Sequence, residues 1–264
     1  MGAIANEFDI GRGFQAESDV TPRDIHFNHS DDRAFWCSVY PPCYQCVISM
    51  QDSKTFSNIK NRLQQQFPHV HNLQQIIRFL GKCFGNSMDN EDIPVRIRMF
   101  IQQTKWFGSL TRVGDSCTFL RQTQKLMSYT LDQEGQSVSP FAGKITQEEA
   151  EDYLRNAGIG NYLIRLSEGK ADQGGYSLAV KATCIIVRHY RILGDPEQAA
   201  QDTTNYNARL KLVHNVIQDL NAQEQEYPDI VEFLKNRLND AIEDNIHCRY
   251  VCPNLPFNEM FRGH

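Results

Sequence analysis

The chain has 264 residues, 41% of them hydrophobic and 22% charged, and a formal net charge of -5. That length suits one large or two ordinary domains, each able to bury a core. The mildly acidic balance argues against a general nucleic-acid binder and against a basic membrane-surface protein.

The N-terminus lacks the charged-then-apolar layout of a signal peptide, and no apolar run is long enough to span a bilayer. MGAIAN begins like a myristoylation signal but carries Asn6 where Ser or Thr is needed. Eight cysteines are too sparse for a disulfide scaffold in a chain of this length. A cytoplasmic protein with reduced thiols is expected.

Residues 1–30 show no clear periodicity and are expected to form an irregular arm. Residues 34–50 predict two short strands around the Pro41-Pro42 turn. From Phe56 to Phe84 the spacing turns helical: Ile59, Leu63 and Phe67 share one face, and Leu73, Ile76, Ile77 and Leu80 another. Ser53 and Gly85 are the expected boundary residues of this pair. Further apolar patterns cover 93–107 and 119–131. Residues 132–140, polar and Ser/Gly-rich, read as a linker.

Beyond Pro140 the pattern becomes mixed α/β. Residues 145–158 predict a helix with Thr146 as N-cap and Glu149 three residues on, a capping box. Residues 175–181 and 185–193 alternate as strands, the second with Arg188, Tyr190 and Ile192 on one face and His189, Arg191 and Leu193 on the other. Residues 195–227 are polar, with 212–220 as an amphipathic helical piece. Residues 228–242 predict a helix with Ile230, Phe233, Leu234, Leu238 and Ala241 inward.

Between the first helix and these strands lies GNYLIRLSE, 160–168, where Arg165 interrupts an apolar run. A guanidinium buried without a partner costs several kcal/mol. Arg165 therefore has either an internal carboxylate or an anion from outside. Ser167 points to the same strand face and can donate a hydroxyl to such an anion. A bidentate fork beside a hydroxyl suits a phosphate.

GNYLIRLSE, GGYSLAVK, VRHYRI, VEFLKNRL and CRYVCP, with FAGKITQEEAEDYL before them, resemble in order and spacing the segments of the SH2 domain, the phosphotyrosine-binding module of signalling proteins. The resemblance spans roughly 140–256. It implies an α+β fold: an SH2-like central antiparallel sheet flanked by two helices, with a helical insert around 195–227. An SH2-like domain over 139–264 would follow a mainly helical domain, 1–135, of unknown role.

By the same resemblance, Arg165 forms the pocket floor, Ser167 donates to the phosphate, and His189 buttresses the pocket. Arg191 packs against the phenol ring as a cation–π contact. The loop starting at Glu168 covers the phosphate, with Lys170 as its cation. Two departures stand out. Gln147 occupies the place where many members carry a second phosphate-binding arginine, and 195–227 is longer than usual. Such inserts resemble those of effector proteins that bacteria deliver into host cells, which would place the protein in a host cytosol. The expected partners are tyrosine-phosphorylated peptides or proteins, with no cofactor, no metal, no nucleic acid and no membrane.

The rival reading is an enzyme or zinc module within residues 30–135. Cys37, Cys43, Cys46, His69, His71 and Cys83 offer ligands, yet the chain lacks a second C-x-x-C or an H-x-x-x-H pair, and PPCYQCVI reads as a strand with buried thiols. His69 with Cys83 has no third orienting group. His247-Cys248 lacks a phosphatase arginine, since position 254 is Asn. P-loop, kinase and G-x-S-x-G signatures are missing.

Overall fold

The computed structural model describes residues 26–27, 29–39, 53–84, 94–166, 175–193, 211–213, 230–238, 242 and 246–258. Its helical half begins with α1 (Ser30–Ser38), β1 (Ser53–Thr55), α2 (Phe56–Gln66) and α3 (Leu73–Cys83). These are followed by β2 (Pro94–Arg96), α4 (Ile97–Phe107), the short β3 (Arg112–Val113) and β4 (Ser116–Cys117), and α5 (Thr118–Ser128). Helices α2 and α4 start directly from β1 and β2, and these two strands pair antiparallel with Lys54 opposite Val95. Thr55 caps α2 through its hydroxyl, which accepts from the Asn58 N–H.

Two helices, α2 and α3, occupy the region whose 3.6-residue spacing predicts them. The expected boundaries shift: Ser53 opens β1 rather than a helix, and Gly85 lies outside the described residues. Residues 34–38 overturn the strand expectation, because they belong to α1. Phe35 and Trp36 turn inward from that helix onto Phe100 of α4, at ring separations of 5.7 and 5.1 Å. Burial of these rings overrides their β-propensity. Of the arm expected over 1–30, residues 1–25 and 28 lie outside the described residues, as does the second expected strand with Cys43 and Cys46, while His29 caps α1 and Ser30 opens it.

The polar stretch read as a linker forms a hairpin, β5 (Leu131–Gln133) and β6 (Gln136–Val138). Glu134 and Gly135 at its tip both have positive φ, 55° and 77°, the geometry of a type I′ turn. The Asp132 carboxylate accepts from the Gly135 N–H at 3.0 Å.

The second half is built on a five-stranded sheet of β7 (Asn161–Leu166), β8 (Tyr176–Lys181), β9 (Val187–Leu193), β10 (Lys211–Val213) and β11 (Tyr250–Val251). The order is β10-β9-β8-β7-β11, antiparallel except that β11 runs parallel to β7. Helix α6 (Gln147–Arg155) packs on β7 and β8. Its Thr146–Glu149 capping box forms as expected, with bonds of 3.1 and 2.7 Å. Helix α7 (Ile230–Arg237) lies against α5 and buries Ile230, Phe233 and Leu234. It is shorter than the expected 228–242, though Leu238 just beyond it is buried as expected; Ala241 lies outside the described residues.

Of residues 195–227 only Lys211–Val213 are described. They form a strand, where the spacing of 212–220 predicts helix. The open edge of β9 takes up their backbone groups, with Leu212 opposite Ile192.

Both halves share one core. Phe79 of α3 sits 5.5 Å from Phe141 and 4.7 Å from Phe257, and these two rings are 5.1 Å apart. Phe141 bridges to Ile164 in the sheet. Around this cluster Lys82 donates to the Pro256 carbonyl at 2.9 Å, and the Ser139 N–H donates to Asn258 Oδ1 at 2.7 Å. Gly143, at φ 77°, lies where an added Cβ would stand 2.6 Å from the Phe257 ring. A side chain there would meet both strain and a clash. Among the described residues no helix is long and apolar enough to cross a membrane.

Candidate functional site: a buried arginine on the central sheet

Strand β7 is buried on both faces, so Arg165 sits among apolar neighbours at 8% exposure. The antiparallel register places Arg165 opposite Ser177, and Ser177 opposite Arg191. One row across three strands therefore carries a guanidinium, a hydroxyl and a second guanidinium on the same face. Directly opposed residues in adjacent strands have Cβ atoms about 4.5–5.5 Å apart. The next row, Leu163, Ala179 and His189, brings the imidazole to the same face.

Exposure is graded across the row. Arg165 and Ser177 (4%) are buried, whereas Arg191 is exposed. Arg165 Nη1 donates to the Ile145 carbonyl at 3.3 Å, which ties the guanidinium to the segment that enters α6. Such an arrangement offers a deep charged floor with a solvent-facing cation at its rim, open to a ligand that presents an anion on a long stem.

Helix α6 forms the adjoining wall. Gln147, its exposed first residue, donates to Glu151 Oε1 at 2.9 Å, and His189 Nε2 lies 3.1 Å from the same oxygen. Burial holds the His189 pKa below its ordinary value; the Glu151 hydrogen bond opposes this and the nearby Arg165 charge adds to it. An ionised carboxylate can only accept, so His189 Nε2 is the donor to Glu151. Its Nδ1 is buried with no hydrogen-bond partner among the described residues. The Glu151 carboxyl is held below its usual range, chiefly by the Gln147 amide.

Four of the residues singled out in the sequence, Arg165, His189, Arg191 and Gln147, meet at this corner; Ser167, Glu168 and Lys170 lie outside the described residues. Two groups escaped the sequence reading. Ser177 is found only through the cross-strand register. Glu151 was hidden as an ordinary helix carboxylate, although its i, i+4 spacing from Gln147 was available.

Elsewhere, Cys83 is fully buried and its thiol is pushed well above its ordinary pKa, the opposite of what a nucleophile needs. Among the described residues no group of three or more His, Cys, Asp or Glu side chains is placed to hold a metal ion.

A five-stranded sheet with a buried arginine on β7, flanked by a capped helix that packs on β7 and β8, makes a small α+β module. Residues 141–216 match the family model of the SH2 domain, so the C-terminal half of this chain carries an SH2 domain. That match does not include residues 1–140. No curated protein matches the chain. SH2 domains are phosphotyrosine-peptide binding modules, and such binding is the general activity that this half of the chain brings.

Proposed function

We propose that the protein is an adaptor or effector that captures tyrosine-phosphorylated proteins through the pocket floored by Arg165, with residues 1–135 as a helical part of unknown role that shares its core with the binding half. The observation that carries this reading is the row Arg165, Ser177, Arg191 on one sheet face, inside the segment that matches the SH2 family. A guanidinium at 8% exposure can be reached by phosphate on a phenol but not by phosphate on the short stem of serine.

In this account Arg165 grips two phosphate oxygens bidentately. Ser177 and Ser167 donate hydroxyls, and Arg191 lies along the ring. Glu168 and Lys170 belong to the loop over the phosphate. Gln147, a neutral amide, contributes no charge, and its Nε2 already donates to Glu151. The affinity therefore rests on Arg165 more heavily than in a site with two arginines.

A peptide array presenting each sequence with tyrosine, phosphotyrosine and phosphoserine tests the reading. Capture of the phosphotyrosine set alone is expected. Equal capture of all three would mark the domain as a phosphate-independent protein-binding module.

A further inference from the structure

Trp106, near the end of α4 in the helical half, makes two hydrogen bonds to the two residues that lead into Ser177, one to the Gly175 backbone and one with the Tyr176 side chain. Its indole Nε1 donates to the Gly175 carbonyl at 2.9 Å. Its own carbonyl accepts from the Tyr176 hydroxyl at 3.1 Å. Both bonds are buried, with Trp106 5% and Tyr176 3% exposed. In such a place the loss of one partner leaves the other desolvated and unmatched.

Side chains alternate along a strand, so Tyr176 and Ser177 point to opposite faces of β8. Trp106 therefore holds β8 from behind the sheet, while Ser177 looks out on the face of Arg165. The same two β8 residues pair with Leu166 and Arg165 on one side and with Ile192 and Arg191 on the other. The grip acts on the one strand whose register places both guanidinium groups about a shared hydroxyl.

We propose that Trp106 is a positioning residue for the phosphate site: it fixes β8 so that Ser177 stands between Arg165 and Arg191, and phosphotyrosine capture is a property of the whole chain. The proposal rests on the phosphotyrosine reading above. It assigns to the helical half a direct part in binding, through the strand it holds.

The test uses the full chain with phenyl phosphate as the probe. The chain has two tryptophans, so its indole N–H signals are assigned by comparison with Trp106→Phe. On saturation of the wild type, the Trp106 signal moves and the Trp36 signal stays. In Arg165→Leu neither moves. Trp106→Phe and Tyr176→Phe, each lacking one hydrogen bond, bind phenyl phosphate about tenfold more weakly.

A stationary Trp106 signal at saturation overturns the proposal, as does wild-type affinity in Trp106→Phe. If that variant does not fold, Trp36→Phe assigns the two signals instead, and the Trp106 signal in the wild type decides. A wild-type chain that binds no phenyl phosphate refutes the phosphotyrosine reading itself. One that binds it with Trp106 unmoved keeps the reading and loses only the positioning role.

Discussion

His189 Nε2 and Gln147 Nε2 converge on a single oxygen, Oε1 of Glu151, at 3.1 and 2.9 Å. The carboxylate thus ties the first residue of α6 to the middle of β9, and it occupies the amide at the position where a second arginine is missing. It also sets a negative charge beside the proposed phosphate site. Glu151 is accordingly the group that limits how much charge position 147 can bring to the pocket.

Replacing Gln147 by arginine tests this limit. Glu151, one turn on, captures the new guanidinium, so Gln147→Arg alone changes phosphotyrosine affinity by less than about threefold. Combined with Glu151→Gln the arginine is released, and binding tightens by about tenfold, or about 1.4 kcal/mol. Calorimetry on both variants checks this; equal gains would show that Glu151 exerts no such restraint.

The pH dependence of folding carries the sign of the His189 shift. Its pKa is lowered in the folded chain, chiefly by burial. Just below the ordinary histidine value the unfolded chain binds a proton that the folded chain resists. Stability contributed by this residue is thus full at pH 7.5 and falls as the pH drops through that range. His189→Gln removes the loss, so the melting temperatures of wild type and variant draw together from pH 7.5 to 5.5. A constant gap would contradict the assignment.

Asp32 of α1 behaves in the opposite sense. It is 1% exposed and accepts from the Leu110 N–H at 2.6 Å, and burial pushes its carboxyl up to about 7. Between about pH 4 and 7 the unfolded chain releases a proton that the folded chain keeps, so stability falls as pH rises. Asp32→Asn keeps an acceptor for Leu110 without the titration. Relative to wild type it gains about 2–4 kcal/mol between pH 4 and 8 in denaturant titrations.

The aromatic cluster joins the two halves. Phe79→Ala removes a ring buried at 0% exposure between Phe141 and Phe257, with an expected cost of about 3–5 kcal/mol. Because that core is shared, calorimetry shows one cooperative transition shifted as a whole. Loss of only part of the unfolding heat would mean that the halves melt independently.

What was legible in the sequence was local. Helix α6 announces itself through Thr146 and Glu149, whose capping box depends on four consecutive residues. The strand faces around Arg165 and His189 follow from alternation alone. Helix α1 was not legible, because Phe35 and Trp36 favour strands until Phe100 covers them. The hairpin at 131–138 was masked by its polar composition, although Glu134-Gly135 is itself a turn signal. Ser177 and Trp106 owe their places to pairing across strands and between halves, and no spacing within the chain encodes that.

Arg165 bears the central claim. Isothermal calorimetry of a phosphotyrosine peptide with the wild-type chain and with Arg165→Lys and Arg165→Leu measures it directly. The bidentate grip on phosphate predicts that both variants lose at least about a hundredfold in affinity, close to 3 kcal/mol or more. Their melting temperatures should show that they remain folded. A folded Arg165→Leu chain that binds the peptide as tightly as the wild type would contradict the account.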